Sequence, residues 1–320
     1  MMINLSCKKG DQQVSTPANH SYTEHFVSGS GVKIHYLEWK NDKPVLVMIA
    51  GLGDTPYLFE DLADQLSPHF HIIAPTRRGH GQSINQAPSF NNENLRADIL
   101  MLLDSLHIGK ASLLGWSAGG NEITAFAARN PERVDKLIYF EAEYDMAEPS
   151  FLYLFKSISP FMETQASDLA SLDAYREWYH HFWYGDIDWN PMLENNLRAS
   201  VQVADDGHVT PVPSDDLFRT FMKEAMRYHR EYDQVQAPCL VITAKPFFHP
   251  KDNTPATISQ YDDIEKNVAS PMRSMNLARM KTILKQVEFV EAPKGTHTSF
   301  LFSSKDFLVN AIDTFLQKSE

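Results

Sequence analysis

An α/β fold, with a mostly parallel central sheet, helices on both of its faces and an inserted helical cap, is predicted by three observations. Short apolar segments alternate along the chain with amphipathic ones, the order in which strand–helix–strand units build a covered parallel sheet. The alternation stops near Met146 and resumes near Asp233. The chain has 320 residues, 43% apolar and 22% charged, enough for one large core carrying an insertion.

The elements follow in order. "VKIHYLEW" alternates as a strand, "KPVLVMIAG" reads as a buried strand, and "TPYLFEDLADQLS" sets Leu58, Leu62 and Leu66 on one helical face. "FHIIAPT" is the next strand, followed by the loop "RRGHGQS" and by a helix over "NNENLRADILMLLDSLH", striped by Ile99, Leu102, Leu103 and Leu106. "ASLLGW" is a strand that runs into a helix ending at Pro131, and "VDKLIYFEA" returns as a strand. After the insertion come the strand "APCLVITA", a polar stretch to about Pro271, the helix "SMNLARMKTILKQ", the strand "VEFVEAP" and a last helix from Ser299. The expected organisation is a polar tail over 1–21, a core built from 22–145 and 234–320, and a helical cap over 146–233.

A formal net charge of −12 repels phosphate backbones, and the adjacent basic pair Arg77-Arg78 has no further run beside it, so no nucleic-acid partner is expected. No apolar run approaches the roughly 20 residues of a membrane helix, and no span is expected. Cys7 and Cys239 lie in unlike contexts and suggest no disulfide framework. The leader "MMINLSCKKGDQQVSTPANH" has no apolar signal core, which makes the cytoplasm the expected compartment. Export or lipid attachment is the alternative, if "LSCKK" is the remnant of a processed site, although Asn4 stands where such a site wants an aliphatic residue.

The stretch that carries chemistry is Gly115-Trp116-Ser117-Ala118-Gly119, between a predicted strand and a predicted helix. A serine there must take a strained turn that lifts its hydroxyl clear of the sheet, and glycines two residues to either side remove side chains that would collide. The following helix aims its positive end at the same spot. The same five residues occur in idle Gly-Ser turns, so position supplies the specificity.

At this point the chain resembles the α/β-hydrolase family, from about Tyr22 over nearly all of its length. The strand order, the elbow "GWSAG", the loop "RRGHGQS", the insertion after "LIYFEA" and the late "GTH" come in the family's order. The resemblance implies an α/β-hydrolase fold and a serine esterase or lipase-like hydrolase with a cap. Ser117 is then the nucleophile. His297, after "VEFVEAP" and before the last helix, stands where family members carry the catalytic base that a weakly nucleophilic serine needs. His80, in "RRGHGQS", lies in a loop that is structural in the family.

The third triad member departs from the family's commonest pattern. Aligned on Pro238, Ala244 falls at the glycine and Phe247 at the aspartate of the usual Gly-x-x-Asp. Two replacements keep the order serine, acid, histidine. Glu141 ends the strand "LIYFEA", a seat used in lipase-like members, and Asp252 in "HPKDNTP" serves if that loop has grown. Glu141 is preferred because a strand end fixes a side chain better than a long loop, and Glu143 and Asp145 are further candidates.

Acyl transfer also needs oxyanion donors. The candidates are the main-chain N–H of Ala118, directly after the nucleophile, and that of Leu52 in "MIAGLGDT". Ala50 occupies the place of the family's usual histidine, which removes a supporting hydrogen bond. The cap is dense in aromatics, and although some of these rings form its own core, Trp116, Trp178, Phe182 and Trp183 are candidates to line a hydrophobic pocket. No metal is called for. His180-His181 are adjacent on a helix and point apart, and Asp205, Asp206 and His208 have no further ligand in register.

The expected substrate is a small hydrophobic carboxylic ester, hydrolysed without a cofactor through an acyl-enzyme. The alternatives on the same scaffold are hydrolysis of an amide or carbon–carbon bond, or a catalytically slow ligand-binding protein.

Overall fold

The computed structural model describes residues 21–29, 31–83, 89–249 and 254–318. Eight strands form the main sheet: β1 (Thr23–Gly29), β2 (Val32–Trp39), β3 (Val45–Ile49), β4 (His71–Pro75), β5 (Ala111–Trp116), β6 (Val134–Phe140), β9 (Cys239–Thr243) and β10 (Val287–Glu291). Their order is β1-β2-β4-β3-β5-β6-β9-β10. β2 runs antiparallel to its neighbours β1 and β4, and every pairing from β4 to β10 is parallel. β7 (Val201–Val203) and β8 (Val209–Pro211) make a separate antiparallel hairpin.

The near-continuous apolar strands are explained by burial on both faces. Leu46, Met48, Leu114, Ile138 and Phe140 join one core with helices α1 (Glu60–Leu66) and α11 (Lys305–Gln317). The alternate residues Val47, Ile49, Leu113, Leu137 and Tyr139 join the other, against α2 (Asn92–Ser105), α3 (Gly119–Arg129) and α9 (Ser270–Ile283). This is the two-residue period of a pleated strand, and each large side chain so removed from water contributes about 1.5–3 kcal/mol.

Between β6 and β9 lie α4 (Pro149–Met162), α5 (Leu172–Trp183), α6 (Pro191–Ala199), the β7–β8 hairpin and α7 (Asp215–Ala225). After β9, α8 (Pro255–Ile264) continues through a π-helical turn at 265–269 into α9, and the short α10 (Phe300–Ser303) precedes α11. Three features depart from the sequence-based expectation. β1 is a largely exposed edge strand with little apolar alternation to betray it. α8 occupies part of what the sequence shows only as a polar stretch, because it buries little beyond Tyr261. The inserted segment, expected to be helical, also holds the β7–β8 hairpin, whose turn is the "DDGH" run, with Gly207 at φ 87° and the His208 N–H donating to Asp206 at 3.0 Å.

Among the described residues no helix is long and apolar enough to cross a membrane.

Candidate active site

The site forms at the carboxyl ends of β5, β6 and β9, where side chains from separate loops converge. β5 ends at Trp116 and α3 starts at Gly119, leaving Ser117 in the left-handed region at φ 55°. For a residue with a side chain that conformation costs on the order of 1–3 kcal/mol and persists only when its surroundings enforce it. Here the Ser117 N–H donates to the Phe140 carbonyl at 3.1 Å. A Cβ at Gly115 would stand 2.5 Å from the Gly119 carbonyl oxygen, and one at Gly119 would stand 2.7 Å from that of Ile49. Both glycines are therefore steric requirements of the turn.

The structure brings Ser117, His297 and Glu141 into one line. His297 Nδ1 lies 2.7 Å from Glu141 Oε2, and its Nε2 lies 3.0 Å from Ser117 Oγ. Because a carboxylate only accepts, Nδ1 carries the proton and Nε2 is left to accept from the serine. Glu141 is buried and sits at φ 47°, just past the end of β6. Its Oε1 accepts from the Ala244 N–H at 2.6 Å and from Arg273 Nη2 at 3.3 Å. Burial alone would raise the Glu141 pKa, but Arg273 and the bonded His297 outweigh it and hold the carboxyl below its usual range.

Phe247, at the position of the usual aspartate, stacks on His297 with centroids 4.3 Å apart and planes 8° from parallel. At this position a ring packs on the imidazole, while the carboxylate bonded to His297 comes from the end of the neighbouring strand β6. The other candidates lie elsewhere. Glu143 pairs with Arg273 Nε at 2.9 Å, and Asp145 accepts from the Arg230 N–H at 3.0 Å. Asp252 lies outside the described residues.

The loop after β3 passes close to Ser117, since a Cβ on Gly51 would be 3.6 Å from the Ser117 Cβ. Arg77 donates to the Ala50 carbonyl at 2.7 Å and the Gly51 carbonyl at 2.8 Å, and is held by Glu122 at 2.7 Å. A trans peptide sets N–H and C=O on opposite sides. Fixing the Gly51 carbonyl toward Arg77 therefore turns the Leu52 N–H the other way. Arg77 supplies the brace that Ala50 cannot. Beyond it, Asp54 accepts from Tyr179 at 3.0 Å and Asn196 at 3.1 Å, tying α5 and α6 to this loop. Burial pushes the Asp54 carboxyl up to about 6, against the lowering effects of those two hydrogen bonds and of Arg77. Ala118 is buried at the start of α3, and Leu52 is half-buried.

The aromatic candidates divide. Trp116 is buried in the core and its indole N–H donates to the His297 carbonyl at 3.1 Å, so it holds the histidine loop instead of lining an opening. Trp178 and Phe182 stack on each other along α5 at 6.1 Å, and the Trp183 carbonyl accepts from Thr298 beside His297. The aromatic side chain that reaches Ser117 is Tyr144, absent from the sequence-based candidates: its hydroxyl lies 2.8 Å from Ser117 Oγ and 3.5 Å from His297 Nε2. Its only trace in the sequence is its place three residues beyond Glu141.

His80 is buried away from this line, with Nδ1 3.1 Å from the Arg78 carbonyl, and burial with the nearby Arg77 charge pushes it down to about 3. It stays neutral. His180 is committed to the Ile187 carbonyl at 2.8 Å. Asp145, Glu148 and His229 gather closely enough to suggest a metal, but the Arg279 guanidinium already reaches Glu148 at 2.6 Å and Asp145 at 3.3 Å. That cluster has its cation.

Comparison with known proteins agrees with this fold. The family model described as alpha/beta hydrolase fold matches residues 44–235. The "Putative carbamate hydrolase RutD" of Caulobacter sp. (strain K31) is 24% identical over 205 residues, 64% of this chain and 72% of its own length. The chain spans between a third and three quarters of the first curated relatives it matches. Among solved structures, E-2-(acetamidomethylene)succinate hydrolase superposes with a TM-score of 0.70 at 20% identity, covering 93% of this chain and 100% of that one. Carboxylesterase CesB of Bacillus subtilis follows at 0.63 and 18%, covering 93% of each chain.

Proposed function

The chain belongs to the alpha/beta hydrolase fold family, and on that premise we propose that it is a serine hydrolase of carboxylic esters bearing a hydrophobic acyl or alcohol group. Ser117 is the nucleophile, His297 the base and Glu141 the acid. The observation that carries this reading is the unbroken chain of hydrogen bonds from Ser117 Oγ through His297 to Glu141, 3.0 and 2.7 Å long. Distances of that length let a proton pass as the nucleophile attacks.

In the proposed reaction Ser117 Oγ attacks the ester carbonyl and its proton moves to His297 Nε2. The main-chain N–H groups of Ala118 and Leu52 receive the oxyanion. His297 returns the proton to the departing alcohol, Glu141 stabilises the transient imidazolium, and water then releases the acyl group by the same steps. The segment 146–233 acts as the cap over the entrance, anchored to the oxyanion loop through Tyr179 and Asn196. A hydrophobic substrate group is supported by the rings of Phe151, Phe155 and Phe247, which cluster with Tyr144 beside the serine.

Cleavage of a carbon–nitrogen bond is the second reading, favoured by the names of the carbamate and acetamidomethylene relatives. The test of the shared chemistry is covalent labelling by a fluorophosphonate, with the adduct mapped to Ser117. Ser117→Ala should abolish labelling and lower ester turnover by about 10⁴- to 10⁶-fold. Turnover that survives this substitution overturns the proposal.

A further inference from the structure

Tyr144 presents a hydroxyl beside the point where a leaving group must sit. The heteroatom that departs is bonded to the carbon that Ser117 Oγ attacks, and it takes its proton from His297 Nε2. It therefore lies within about 3 Å of both atoms. The Tyr144 hydroxyl is 2.8 Å from the first and 3.5 Å from the second.

The direction of its hydrogen bond follows from the relay. Nδ1 donates to Glu141, so Nε2 accepts the Ser117 proton, and the remaining lone pairs of Oγ face the tyrosine. Tyr144 is thus the donor. Its ring is held on one side by Phe151, stacked at 5.1 Å and 14°, with Phe247 at 5.9 Å and the Arg230 guanidinium 5.9 Å over the face. It is buried, and burial pushes the phenol above its usual range, so the proton stays on the oxygen.

Resting on the serine-hydrolase reading, we propose that Tyr144 is a further catalytic residue, which donates a hydrogen bond to the leaving heteroatom and suits the enzyme to acyl compounds with poor leaving groups, such as alkyl esters. As the bond between the carbonyl carbon and the heteroatom breaks, its electron pair stays on the heteroatom and the His297 proton neutralises it. Acyl-Ser117 and a neutral alcohol result. Tyr144 keeps its own proton throughout and stabilises the charge that builds before transfer is complete.

The experiment is a leaving-group series on wild type and Tyr144→Phe, from 4-nitrophenyl to alkyl esters of one acyl group, with fluorophosphonate labelling in parallel. Tyr144→Phe should change kcat/KM for the 4-nitrophenyl ester less than about threefold and lower that for the alkyl ester about 10- to 100-fold, the range expected for a hydrogen bond to a charged group. Labelling, which expels fluoride, should persist and shows that the site is folded. A uniform loss, a uniform gain or no change across the series overturns the assignment of Tyr144 while leaving the triad intact. Failure of the wild type to label at Ser117 sinks both. If Tyr144→Phe does not fold, 3-fluorotyrosine at position 144 keeps ring and hydroxyl while strengthening the donor. It should raise the alkyl to 4-nitrophenyl turnover ratio at pH 7, and an unchanged ratio overturns the assignment.

Discussion

The turn that carries Ser117 and the seat of Glu141, the proposed nucleophile and acid, face each other across His297, yet they are built on different principles. At the turn, backbone sterics dictate the residue types: Ser117 is left-handed, and added Cβ atoms at Gly115 and Gly119 would stand 2.5 Å from the Gly119 carbonyl oxygen and 2.7 Å from the Ile49 carbonyl oxygen. At the acid seat, Glu141 is also left-handed, but what holds it comes from far along the chain: the Ala244 N–H, Arg273 and the His297 ring with Phe247 stacked on it. A site fixed by local geometry writes a motif into the sequence. One fixed by distant side chains does not.

The largest effect should come from breaking the acid seat while leaving the turn alone. In Glu141→Gln the amide oxygen is drawn to the Oε1 position, where both neighbours, the Ala244 N–H and Arg273, are donors. The amide NH₂ then faces His297 Nδ1, which must accept instead of donate, and Nε2 becomes protonated and useless as a base. Turnover should fall about 10⁴-fold, the size of effect that a wrong tautomer produces, whereas Asp252→Asn should leave kcat within about twofold. Steady-state kinetics on the two variants checks this, and the reverse order would move the acid to Asp252.

The same division explains what the sequence discloses. The buried strands are legible because parallel strands covered on both faces must be apolar throughout, as in "LVMI" and "LIYF". Ser117 and His297 are legible because turn and chain order constrain them. Arg77 is not: adjacent to Arg78 it looks like a small basic patch, but the two guanidiniums are consumed by Glu122 and Asp98, 45 and 20 residues away. Tyr144 is equally silent, since only the packing of Phe151 and Phe247 turns its hydroxyl toward Ser117. Arg273 lies on a helix with weak periodicity, buried between two glutamates that tertiary structure alone brings to it.

The turn is tested by Gly119→Ala, whose new methyl group meets the Ile49 carbonyl, a backbone atom that cannot rotate aside. Overpacking of this kind should cost about 1–3 kcal/mol, read by denaturant unfolding, and the displaced serine should label more slowly. Unchanged stability would mean that the elbow tolerates a side chain there, and the contrast with the acid seat would lose its steric basis.

The smallest effect sharpens the acid seat. Glu143 shares Arg273 with Glu141, and burial together with the Glu141 charge pushes its carboxyl up to about 7 from 4.5. A raised carboxyl binds more protons folded than unfolded between those values, so its contribution to stability is complete below about pH 4.5 and is lost as pH rises to about 7. Glu141 is shifted the opposite way, and what it contributes is present above its ordinary range and disappears in acid. Glu143→Gln keeps an acceptor for Arg273 but cannot ionise beside Glu141. Its melting temperature relative to wild type should therefore climb between pH 4.5 and 7 and level off above that, by an amount on the order of 2–4 °C. A difference independent of pH would mean that Arg273 neutralises both carboxylates together, and that Glu141 is held by the same kind of rigid, single-state arrangement as the serine turn.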